Sequence, residues 1–139
     1  MKFVELAFLS LLLVVAQSLS ASAADCKAGE GVKMKPEGQR TSLSAHISTV
    51  PITVPVGQPF SAKVVICGEE GKLVDSLSID ATMPRHRHGM NYKPTITSGG
   101  DRIYEATGLF FHMPGLWRFA VTVQSKEMRQ RFTYDVIAK

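Results

Sequence analysis

Cysteine is scarce in this chain of 139 residues. Cys26 and Cys67 are the only two, far apart, with no CxxC character and no CxxCH haem attachment site. Basic runs are missing as well. Lys33, Lys35, Lys63, Arg85, Arg87, Lys93, Arg118, Arg129 and Arg131 are scattered, and the net charge of +4 is a mild excess. A nucleic-acid partner, which wants a basic stripe interleaved with aromatics, is therefore not expected. With 20% charged and 45% hydrophobic residues the chain has too little charge and too much apolar content for intrinsic disorder. No internal repeat, composition bias or second long apolar run occurs, and collagen-like, coiled-coil and multi-pass membrane classes are excluded. No nucleophile elbow or compelling Ser-His-Asp order is present, so an enzyme is not expected.

The one long apolar run lies at the start. Met1-Lys2 precedes an almost wholly apolar stretch from Phe3 to Ala16, followed by a small polar stretch ending Ala21-Ser22-Ala23-Ala24. This is the plan of a secretory signal over residues 1–24, with cleavage after Ala23 or Ala24. The run is short for a bilayer span, which takes about 20 residues, although Glu5 and the single basic residue leave an uncleaved anchor as the alternative. Asp25 before Cys26 argues against lipid attachment. The chain reads as periplasmic or secreted, with no stable membrane insertion after signal cleavage. In an oxidising compartment Cys26 and Cys67 are expected to form one disulfide, worth roughly 4 kcal/mol in the chain-entropy model for a loop of this length. A pair of soft metal ligands is the rival reading.

Beyond the signal, residues 25–40 read as an irregular N-terminal arm, and 41–139 as one domain with a period of two and many β-branched residues. Leu43, Ala45 and Ile47 alternate with Ser42, Ser44, His46 and Ser48. The rows Phe60, Ala62, Val64, Ile66 and Leu77, Ile79, Ala81, Met83 follow. Trp117, Phe119, Val121 and Val123 form another, and Phe132, Tyr134 and Val136 a last one. Residues 51–59, with three prolines and a glycine, read as a strand-like edge segment. About seven short strands without a convincing helix predict an all-β, immunoglobulin-like antiparallel β-sandwich.

Three of the four histidines gather, with methionines, in Met83-Pro84-Arg85-His86-Arg87-His88-Gly89-Met90 and Phe111-His112-Met113-Pro114-Gly115. In an extended chain His86 and His88 share a side, with Met90 continuing the row. His112 is in phase with Tyr104, Ala106 and Phe110, on the inward row of its strand. If the strands carrying Met83 and His112 are neighbours, the two stretches meet at one end of the sandwich. Imidazole suits copper, zinc, nickel and iron, whereas thioethers are soft and favour Cu(I). Hard cations want oxygen ligands, and acidic residues are nearly absent around these stretches. The candidate metal ligands are His86, His88, Met90, His112, Met113 and Met83, and the candidate cofactor is a copper ion. Five of the six have a plainer reading: Met83 as core, Met113 opposite in phase to His112, His86 and His88 as loop caps beside two arginines, His112 as an end-of-strand core residue. His46, in a Ser-rich outer row, reads as surface.

These motifs resemble those of the YtkA-like family, relatives of FixH, which carry a similar succession of Met-Pro, His-Gly-Met and His-Met-Pro-Gly-x-Trp. The resemblance covers roughly residues 41–137. It implies an Ig-like sandwich outside the cytoplasm, associated with copper handling, whose partner would be a cuproprotein or a membrane oxidase or transport protein. The expected function is a periplasmic copper chaperone or carrier. The alternative is a non-metal interaction module docking on an exported or membrane partner, with Arg85, Arg87, Tyr92 and Lys93 as contacts.

Overall fold

A computed structural model describes residues 31–38, 41–68, 74–100, 102–126 and 128–139. The signal segment 1–24 and Cys26 lie outside the described residues, as does most of the arm except 31–38. Among the described residues no helix is long and apolar enough to cross a membrane.

The strands are β1 Val32–Lys33, β2 Lys35–Glu37, β3 Ser44–Val50, β4 Pro59–Cys67, β5 Ser76–Met83, β6 His88–Gly89, β7 Thr95–Ser98, β8 Ile103–Phe110, β9 Gly115–Gln124 and β10 Arg129–Ala138. They form two antiparallel five-stranded sheets, ordered β1-β3-β4-β8-β7 and β2-β10-β9-β5-β6. The fold is an all-β sandwich. The alternating rows supply its core: Ala45, Ile47, Val64 and Ile66 from one sheet meet Ile79, Trp117, Phe119, Val121, Val123 and Phe132 from the other, all buried. An alternating strand hides one face against the opposite sheet and leaves its polar face to water.

The arm is more ordered than its composition predicts. β1 pairs with β3 and β2 with β10, so the chain changes sheets at Met34, which is buried between them. Pro36 pairs opposite Phe132 on an edge strand, where no inward ladder donor is lost. Residues 51–58 make bends and one isolated bridge, Val56 with Phe111, in place of the expected edge strand.

One irregularity decides where a candidate ligand points. Opposite the β4 residues Phe60 and Ala62, β8 offers Leu109 and Ala106, so β8 carries an extra residue. Gly108 sits there with φ of 78°, a bulge conformation suited to glycine. The extra residue inverts the alternation. Leu109 and Phe111 turn inward, while Phe110 is half-buried and His112 is exposed. The inward placement predicted for His112 is thus corrected: its phase was counted across a bulge. Nothing lies within 4 Å of a Cβ built on Gly108. Gly108→Ala is therefore expected to cost about 1–2 kcal/mol through backbone strain alone, read as a shift in the urea unfolding midpoint.

On the outer face of the second sheet, Arg118 donates from Nε and an Nη to the two carboxylate oxygens of Asp135 at 2.6 and 2.8 Å, across a register pair. That hydrogen bonding, chiefly, holds the Asp135 carboxyl below its usual range. A carboxylate with a lowered folded pKa stabilises the fold above its ordinary value, about 3.9, and loses the contribution as pH falls through the folded value. The stability gap between the wild type and Asp135→Asn should therefore be present at neutral pH and close on acidification, as urea titrations at the two pH values will read. Both side chains are about two-fifths exposed, so the effect is small.

Candidate functional site: a histidine pair at one end of the sandwich

β5 and β6 form a hairpin whose loop is Pro84-Arg85-His86-Arg87. The Met83 carbonyl accepts from the backbone N–H groups of His86 at 3.1 Å and Arg87 at 3.0 Å, and Arg87 takes a left-handed φ of 52°. The chain then returns with His88 opposite Met83 and Gly89 opposite Thr82, and Met90 N–H donates to the Ala81 carbonyl. This is a tight reversal, not an extended segment, so the two-residue alternation expected to align His86 with His88 does not apply. His86 lines an open cavity of about 390 Å³ with Met83, Arg85, Leu116 and Ile137. His88 instead faces His112, with ring centres 6.1 Å apart and planes at 85°.

His112 arrives from the other sheet. β5 and β8 are not neighbours, contrary to the condition set on the sequence, yet the stretches meet because the 111–114 connection crosses between the sheets. Its anchor is Phe111. That ring stacks on Trp117 at 4.1 Å with an interplanar angle of 3° and meets Phe60 edge-on at 5.0 Å. The Phe111 carbonyl accepts from Gly57 N–H at 2.8 Å. Trp117 Nε1 donates to the Met113 carbonyl at 2.9 Å and closes the turn into β9. The same indole lies edge-on to the His112 ring, 5.6 Å between centres. A buried aromatic stack therefore fixes an exposed imidazole.

The other candidates divide. Met83 is a core residue, 2% exposed, with its methyl group directed at Gly115, where a built Cβ would lie 3.2 Å from it. Met90 and Met113 are half-buried and pack against the core. His46 is half-buried on the outer face of the first sheet, its Nδ1 3.6 Å from Cys67 Sγ. Cys67 itself is buried and carries no free thiol. Among the described residues no group of three or more His, Cys, Asp or Glu side chains converges on one point. The site is a pair of imidazoles, with a methionine two residues after His88 and another directly after His112.

Its electrostatic setting is cationic. Residues 81–100 and 106–117 hold no Asp or Glu, while Arg85, Arg87 and Lys93 are exposed there. The sequence places the two stretches at one end but groups His86 with His88 and His112, whereas the rings in contact are those of His88 and His112 alone. It gives no role to Phe111, whose anchoring depends on the Gly108 bulge.

The fold and this end define the chain as a β-sandwich presenting two imidazoles outside its core. No family model matches it, and no curated protein does. Among solved structures it is similar to a DUF4426 family protein from Pseudomonas aeruginosa, at 17% identity and a TM-score of 0.49, covering 75% of this chain and 93% of that one. So distant a likeness carries no argument about the site. The motif resemblance to YtkA-like domains has no matching family model beside it, and what stands is the sandwich.

Proposed function

We propose that the protein is an exported copper-binding carrier that holds Cu(I) between His88 and His112. The observation that carries this reading is the 6.1 Å separation of the two ring centres, one on strand β6 and the other on the 111–114 connection. An ion bonded at about 2 Å to one nitrogen of each ring lies roughly 3 Å from each ring centre, so the observed spacing fits a single ion between them. Two nitrogens on stretches that hold no Asp or Glu suit a soft monovalent ion of low coordination number better than zinc or a hard cation. Three cationic side chains nearby also disfavour a divalent ion more than a monovalent one. Met90 and Met113 are the soft donors adjoining the pair, and Met83 belongs to the core. An exposed site with few ligands permits exchange with a recipient, which a carrier requires. In this reading residues 1–24 direct export, and a Cys26–Cys67 disulfide ties the arm to β4.

The test is competition against a chromophoric Cu(I) chelator. One equivalent of Cu(I) withdrawn by the wild type, and none by a His88→Ala/His112→Ala double variant, is the expected result. Equal withdrawal by both proteins would overturn the assignment.

A further inference from the structure

The end of the sandwich that bears the histidines also exposes large apolar side chains. Residues 51–58, 84–94 and 111–114 and the C-terminus come together there. Lys139 N–H donates to the Val54 carbonyl, Gly57 N–H to that of Phe111, and the Tyr92 ring meets Phe110 edge-on at 5.8 Å. Ile52 is 91% exposed, Val50 66% and Tyr92 61%. The Ile52 position is built, not frayed. Thr49 Oγ1 donates to the Ile52 carbonyl at 3.2 Å, and two residues on Val54 is fully buried. These connections contain no acidic residue, and Arg85, Arg87 and Lys93 are exposed among them.

We infer that this end docks peripherally on an anionic lipid surface. Ile52 and Tyr92 enter the headgroup layer, and Arg85, Arg87 and Lys93 pair with lipid phosphates. Charge complementarity selects the sign of the partner: an end whose loops carry Arg85, Arg87 and Lys93 and no acidic side chain attracts an anionic surface. The form of the apolar contribution selects lipid over protein. Single large side chains carried on loops suit a deformable layer that closes around each of them, and the Tyr92 ring is amphipathic in the manner of residues at membrane interfaces. A protein partner would instead favour a contiguous apolar patch with a packed centre. The inference requires no metal and stands apart from the copper reading.

The test uses the full chain carrying Ile52→Trp, an exposed position that tolerates a larger ring. Trp117 is fully buried and supplies a constant background. Vesicles of phosphatidylglycerol and phosphatidylcholine should blue-shift the emission of the new indole, and brominated acyl chains should quench it. Vesicles of phosphatidylcholine alone should do neither. Adding Arg85→Glu and Arg87→Glu should weaken the response by about tenfold or more, and high salt should do the same. Reading at residue 52 separates this contact from vesicle binding through the apolar residues 3–16. Emission indifferent to lipid charge, even where the chain sediments with vesicles, would overturn the proposal. So would a response that survives both charge reversals, or one elicited by an acidic protein and not by lipid.

Discussion

Alanine at either His88 or His112 is expected to lower Cu(I) affinity by about 100-fold or more. Loss of a group that merely orients a metal ligand already costs 10–100-fold, and each of these substitutions removes a ligand outright. Both side chains are exposed, so neither change should move the unfolding midpoint appreciably. His86→Ala provides the contrast. Its imidazole lines the cavity on the Leu116 and Ile137 side, and its loss should change Cu(I) affinity by less than about threefold, within the context-dependence of an exposed group. Chelator competition on the three single variants separates this arrangement from one built on the sequence-adjacent His-x-His pair, in which His86 and His88 would matter equally.

Trp117→Ala is expected to be the most destabilising single change, at about 3–5 kcal/mol, measured by chemical denaturation. The indole is fully buried and stacked on Phe111, so truncation leaves a cavity between the sheets. It also releases the Met113 carbonyl from its only described side-chain donor and withdraws the surface against which His112 rests. Trp117→Phe keeps most of the volume but not the Nε1 donor, and should cost less. It should still weaken Cu(I) binding, because the connection carrying His112 loses the hydrogen bond that closes it. A phenylalanine variant that is less stable yet binds copper as tightly as the wild type would show that the aromatic stack serves stability alone.

The sandwich was legible because its strands obey the simplest rule. Ile79, Ala81 and Met83, or Trp117, Phe119, Val121 and Val123, occupy every second position and are all buried. Three features escaped that rule. The arm looks irregular because Lys33, Lys35 and Glu37 carry the chain past Met34, whose burial between sheets has no periodic signature. The bulge at Gly108 leaves the count of alternation correct before it and inverted after it, so the orientation of His112 could not be read from phase. The loop at Pro84 to Arg87 replaces an extended segment by a reversal, which parts His86 from His88. Residue types marked the right region. Their grouping within it depended on a bulge and a hairpin turn, both set by tertiary pairing.

The decisive measurement is the nitrogen NMR of the imidazole rings as Cu(I) is added under anaerobic conditions. One equivalent should shift one ring nitrogen each of His88 and His112, saturating together, while His46 and His86 stay in place. Equal shifts at His86 and His88 with His112 unmoved would contradict the paired site, and the absence of saturable shifts at any histidine would contradict copper carriage by this end of the sandwich.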